Sequence, residues 1–212
     1  RIAFGPDGML YVTTGENFKA DLAQDMNSLA GKILRVTPDG AVPPDNPFPN
    51  SPIWSLGHRN PQGLAWHPET KELFVSEHGP SGEFGLRKDD EINVIVKGGN
   101  YGWPRAIGAV GEKGLIDPIL LWRETGAPPS GMAFFDGSLF VATQRSNALI
   151  RVDVEKKGED WTVKAIERWF SDKPDSGSWG SFRDAVVGPD GALYALTNFN
   201  SRDDKILKIS RR

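Results

Sequence analysis

Residues 57–63 read Gly57-His58-Arg59-Asn60-Pro61-Gln62-Gly63. A guanidinium is a planar cationic fork, and here it stands beside two carboxamides, a donor set suited to a carboxylate or a quinone oxygen. Three more polar clusters follow: Glu77-His78-Gly79-Pro80, Asp89-Asp90-Glu91-Ile92-Asn93 and Gly99-Asn100-Tyr101-Gly102-Trp103-Pro104. Gly and Pro recur among them, so tight turns are expected, which leave polar groups open to a ligand. A single cluster of this kind is an ordinary salt-bridged loop. Four between residues 54 and 104 point to a ligand site.

Elsewhere the candidates are Glu16, the segment Gln144-Arg145-Ser146-Asn147, and the pair Arg183-Asp184. Arg59, Arg145 and Arg183 come from three different parts of the chain, and three guanidiniums at one place would suit a polyanionic ligand. Taken one at a time, each is an ordinary surface arginine.

The elements that must position them repeat. Residues 4–14, 66–76, 134–143 and 187–197 each carry an apolar residue, a turn with Asp-Gly or Pro, and an alternating strand centred on Tyr11, Phe74, Phe140 or Tyr194. Asp-Gly between apolar runs signals a hairpin, because Gly accepts the positive φ of a tight turn. A second strand follows each hairpin, at 32–36, 91–96, 148–152 and 205–209, alternating polar with aliphatic residues. Such repetition marks an all-β protein, a β-propeller, with the candidate residues at strand ends around one channel mouth. Helical signal is thin: residues 21–29 allow a turn or two before Gly31. Residues 43–52 are Pro-rich and read as an extended loop, and 108–118, 158–161 and 172–181 as further connections. No linker divides the chain, so residues 1–212 read as one domain, a partial propeller lacking its N-terminal blades.

Composition narrows the partners. A net charge of −3 with interspersed signs gives no basic field for nucleic acid. No apolar run approaches the roughly 18 residues of a membrane span, and with no cysteine there is neither a disulfide nor a thiolate metal site.

The motif series 57–63, 77–80, 90–93 and 100–104, extended by Pro129-Ser130-Gly131 and by Arg183-Asp184 before Gly188-Pro189-Asp190-Gly191, resembles the soluble aldose (glucose/sorbosone) dehydrogenases that depend on pyrroloquinoline quinone. The likeness covers essentially the whole chain. It implies a six-bladed propeller of which about four blades are present here. It also implies oxidation of an aldose C1 hydroxyl to the lactone, with hydride passing to the quinone and calcium as a second cofactor. In those terms Arg59 polarises the quinone and contacts the sugar. Asn60 and Gln62 lie beside the cofactor, and Arg145 and Arg183 pair with its carboxylates. The carbonyls of Gly79 and Pro80 ligate calcium, and Glu91 with the Tyr101 carbonyl forms part of a second calcium site. Glu16 orients the catalytic histidine, and Trp122 is a sugar-stacking wall. Trp54, Trp66 and Trp103 are core. The resemblance further implies an external electron acceptor and a periplasmic or secreted location; it leaves the oligomeric state open.

Two departures stand out. The family's base lies in a His-x-Gly-Gly segment just ahead of the residue matching Arg1, so these 212 residues alone are expected to be inactive. Ser181 stands where the family often has a further arginine. Two other readings stay open. A metal-dependent lactonase of similar shape needs several carboxylates on one ion, for which only Glu16 and Glu77 are near candidates. A non-catalytic propeller that binds sugar or protein fits the two departures.

Overall fold

The computed structural model describes residues 1–86, 88–123, 126–170, 179–198 and 204–211. Its strands meander, each antiparallel to the next, into four sheets. The first holds β1 (Ile2–Phe4), β2 (Leu10–Thr14), β3 (Lys32–Val36) and β4 (Ile53–Leu56). The second holds β5 (Pro61–Trp66), β6 (Leu73–Glu77), β7 (Asp90–Ile95) and β8 (Leu120–Trp122). The third holds β9 (Pro129–Phe135), β10 (Ser138–Thr143), β11 (Leu149–Lys157) and β12 (Asp160–Trp169). The fourth shows three strands among the described residues, β13 (Ser181–Val187), β14 (Leu193–Asn198) and β15 (Ile206–Ile209). The four sequence repeats therefore fall in four separate sheets, the arc of a β-propeller. Its helical content among the described residues is two short 3-10 turns, one of them Ala20–Ala23. The connection read at 172–181 lies, up to residue 178, outside the described residues.

The repeated turn has a physical cause. Asp7 accepts the Met9 N–H and the Tyr11 hydroxyl, and Asp190 does the same for Ala192 and Tyr194. The first glycine of each turn lies under the ring, since a Cβ on Gly5 or Gly188 would come within 2.7 or 2.5 Å of it. In the third repeat Asp136 and Gly137, at φ 50° and 79°, form the two-residue turn that Asp-Gly favours.

Alternation along each strand distributes side chains to the two neighbouring sheets. On β6, Leu73 and Val75 join Tyr11 and Ile33 of the first sheet, while Phe74 joins Leu139 and Val141 of the third. On β10, Phe140 and Ala142 turn instead toward Phe182 and Leu193 of the fourth. These middle strands are consequently buried on both faces. Ile2 and Phe4 of β1, and Ile206 of β15, are more than half exposed on the faces turned away from the neighbouring sheet.

Two loads deserve measurement. Phe74 is fully buried with Phe134 and Trp161 packed edge-on to it, so Phe74→Ala should lower the unfolding free energy by about 3–5 kcal/mol in a denaturant titration. Lys32, also fully buried, donates to the carbonyls of Leu22 and Ala30 and so ties residues 20–31 to β3. Burial pushes its pKa down to about 8 from the ordinary 10.5. The folded state then releases this proton before the unfolded state does, so stability should rise as pH climbs between about 8 and 10.5. Melting temperature against pH checks this; Lys32→Met should flatten that slope.

Candidate functional site

The loops at one end of the sheets are joined by a series of hydrogen bonds. Glu16 N–H donates to the Arg59 carbonyl at 3.0 Å, and His78 N–H to the Asn60 carbonyl at 3.1 Å. His78 Nε2 donates to the Pro129 carbonyl at 2.6 Å, and Gln144 N–H to that of Pro128 at 3.0 Å. Ser181 Oγ donates to the Gln144 carbonyl at 2.7 Å. The segments carrying Glu16, Arg59, His78, Arg145 and Arg183 thus occupy one rim.

Glu77, at the end of β6 and buried, builds the next layer. One carboxylate oxygen accepts the N–H groups of Arg59 and Asn60, the other the His58 Nδ1–H at 3.0 Å. His58 is fully buried, stacks on Tyr101 at 4.7 Å and takes the Ser55 hydroxyl hydrogen on Nε2. The turn bearing Arg59 is therefore held by main-chain bonds to a buried charge. The preceding Gly57 has φ 79°, and a Cβ there would lie 2.3 Å from Asn100 Oδ1, so glycine is required. Asn100 exchanges amide hydrogen bonds with Gln24, which also donates to the Trp103 carbonyl. That is how the 100–104 motif fixes the loop after Glu16.

Arg59 is buried and rigid. Nε and Nη2 both donate to Glu83 Oε1, at 3.2 and 2.6 Å, Nη1 approaches the His78 carbonyl at 3.5 Å, and Trp103 lies against the guanidinium 5.9 Å from its ring centre. Arg59 lines an open cleft of about 330 Å³ with Gly15, Glu16, Asn17, Phe18 and Asn60. Gln62 Nε2 donates to Asn60 Oδ1 at 2.9 Å and so orients that carboxamide. Glu16 is buried, and its Oε2 has no hydrogen-bond partner. Burial raises its pKa, opposed by the nearby Lys19 and Phe18 amides and by Arg59.

On the other side of Arg59, Gly79, Pro80, Glu91 and Tyr101 line a single void with Glu77 and His78. The residues expected at two calcium positions thus share one space. It measures about 10 Å³, near the room one water needs. Burial, reinforced by Glu77 opposite on β6, pushes the Glu91 carboxyl up to about 8. The Pro80 carbonyl already accepts the Lys88 N–H at 3.0 Å. A Cβ on Gly79 would come within 2.0 Å of the Lys88 carbonyl, so the chain passes there with no space for a side chain. Among the described residues no group of three or more His, Asp or Glu side chains is placed to hold a metal. A cation here must draw on main-chain carbonyls.

Arg183 is exposed at the bulge of β13, where the register shifts between Phe182 and Asp184, and Arg145 is exposed in the turn after β10. Bulges redirect side chains in this way. Gln62 stands at the matching bulge of β5. Trp122 does not join the cleft. It is 8% exposed on β8 and packs in the core with Phe74 and Met132, so the expected sugar wall is a packing residue. Sequence reasoning missed the clamping role of Glu77, the partner Glu83 and the cleft residues Asn17 and Phe18. A lone acidic residue closing a strand beside a histidine was the available signal for the first; none marked the others.

Comparison with known proteins identifies a family. Residues 1–208 match the model of the glucose/sorbosone dehydrogenases. The aldose sugar dehydrogenase YliI of Escherichia coli K12 is 35% identical over 240 residues, an alignment covering all of this chain and 59% of that protein. The quinoprotein glucose dehydrogenase B of Acinetobacter calcoaceticus is 42% identical over 136 residues, 54% of this chain and 27% of that one. The PQQ-bound aldose sugar dehydrogenase of Streptomyces coelicolor superposes with a TM-score of 0.83 at 43% identity, over 98% of this chain and 60% of that structure. The chain thus spans about three fifths of the length of two of these relatives. With residues 1–208 matched by the family's model, the chain belongs to the glucose/sorbosone dehydrogenases.

Proposed function

We propose that the full-length protein carrying this chain oxidises the C1 hydroxyl of an aldose to the lactone, using pyrroloquinoline quinone and calcium. The observation that supports this most is a buried carboxylate, Glu16, with one unpaired oxygen beside the fixed donors of Arg59 and Asn60 in one open cleft. When bound, the quinone supplies a two-electron acceptor for the hydride leaving C1.

The residues of this chain have distinct parts in that reading. Arg59, immobilised by Glu83 and Trp103, presents fixed positive charge to oxygens that gain electron density, at little cost in reorganisation. Asn60, with its carbonyl oxygen engaged by Gln62, offers its amide hydrogens. Glu16 orients and stabilises the imidazolium of the proton-accepting histidine, which the family resemblance assigns to a His-x-Gly-Gly segment ahead of residue 1; none of the residues lining the cleft is a histidine. The exposed guanidiniums of Arg145 and Arg183 pair with carboxylates of the cofactor. Ser181 bonds the Gln144 carbonyl instead of adding a further cation, which leaves fewer charges on that side.

The donor set near Arg59 fits calcium, a hard ion that takes carbonyl and carboxylate oxygens. Gly79, Pro80, Glu91 and Tyr101 would supply them, the Pro80 carbonyl through the lone pair that Lys88 leaves free. We place the protein in the periplasm or outside the cell, passing electrons to an external acceptor. Among the described residues no helix is long and apolar enough to cross a membrane.

Titrating the full-length protein with quinone and calcium while recording its absorption spectrum, then adding an aldose and a dye acceptor, tests the reading. Quinone uptake and dye reduction are expected; a protein that takes up no quinone is a scaffold, and the reading fails. Arg59→Ala should lower turnover by about two to three decades, the roughly 3–4 kcal/mol of a preorganised donor. A fall below about fivefold would remove Arg59 from that role. Chelating calcium should lower activity and melting temperature together, and added calcium should restore both.

A further inference from the structure

We propose that Phe18 is the apolar platform of the sugar site, the ring on which a C–H face of the aldopyranose is laid. This rests on the dehydrogenase reading above and adds to it a residue that positions the sugar. Phe18 is 81% exposed, more than any other large hydrophobic side chain among the described residues, whereas Phe74, Phe140 and Phe182 are all at 2% or less. The ring is in the wall of the cleft and is the one aromatic group there, beside Glu16, Asn17, Arg59 and Asn60.

Its position is not casual. Asn17 and Phe18 have φ of 55° and 56°, the left-handed region that bulky residues avoid. Two such residues in succession persist where surrounding bonds impose them, and they cluster at ligand sites. Here the imposing bonds are Lys19 N–H to the Glu16 carbonyl at 3.1 Å and Glu16 N–H to the Arg59 carbonyl at 3.0 Å. The turn that brings the Phe18 and Lys19 amides near the Glu16 carboxylate also stands the ring at the rim.

The chemistry of the wall matches a pyranose. Such a sugar has an edge of hydroxyls, which donate and accept, and a flat face of C–H groups, which do not. Glu16 accepts, Arg59 donates, and the carboxamides of Asn17 and Asn60 do both. Phe18 offers the apolar surface the remaining face needs. An open-chain alditol presents no such face.

Phe18→Ala in the full-length protein tests this with little risk to folding, because the side chain is mostly in solvent. With D-glucose as probe, KM should rise roughly tenfold, the scale of a lost apolar contact, with kcat changed less than about twofold, as loss of uniform binding requires. Saturation-transfer NMR on the cofactor-free protein should lose transfer to the pyranose ring protons. Phe18→Tyr and Phe18→Trp should stay close to wild type, and the dissociation constant of the quinone should not move. A KM within about twofold of wild type overturns the proposal. So does a weakened quinone affinity at constant KM, which would give the ring to the cofactor. Wild-type protein that binds quinone and oxidises D-glucose, with a Phe18→Ala variant that does so at unchanged KM, sinks the platform alone, whereas wild-type protein that binds no quinone and oxidises no aldose sinks both readings.

Discussion

The rim depends on one buried carboxylate. Glu77 leaves β6 and accepts three N–H groups, from His58, Arg59 and Asn60. A carboxylate taken from water is costly unless its oxygens are engaged, so the 58–60 turn that engages them has little freedom to move. The arginine side chain inherits that order, because its backbone is fixed before Glu83 and Trp103 fix its guanidinium. Glu91, Glu77's cross-strand neighbour, is the counterpart whose charge burial and the facing Glu77 disfavour.

Around that point, the sheets act as spacers with two working faces. Phe74 and Val75 are adjacent in sequence yet serve different interfaces, so neither interface can be repacked without touching the same strand. The Asp–Tyr turns at Asp7 and Asp190 lie at one end of their hairpins, and the site residues at the other. Stability and ligand contact are thereby assigned to opposite ends of the same strands.

Much of this was legible from the sequence. The strand at 32–36 was found with its observed bounds from its aliphatics Ile33, Leu34 and Val36, but its polar residues do not mark exposure: Lys32 is fully buried and satisfied by carbonyls. The Arg59–Asn60–Gln62 cluster was legible because these types have few structural uses in such density. Trp122 was misread because the family resemblance alone assigned it, and a tryptophan looks the same in sequence whether it faces a ligand or the core. Glu83 and Phe18 could not be read at all. Each matters through a loop conformation, and at Phe84, Asn17 and Phe18 that conformation is left-handed backbone that no propensity announces.

Five of the bonds that link successive rim segments end on main-chain carbonyls, those of Arg59, Asn60, Pro128, Pro129 and Gln144. Carbonyls are common to all residue types. Replacing the side chain of Arg145 or Asn60 therefore leaves the frame that presents it intact, and divergence at the mouth is decoupled from divergence in the scaffold. A point mutation at such a side chain can therefore alter what the mouth presents without breaking the main-chain bonds that hold it.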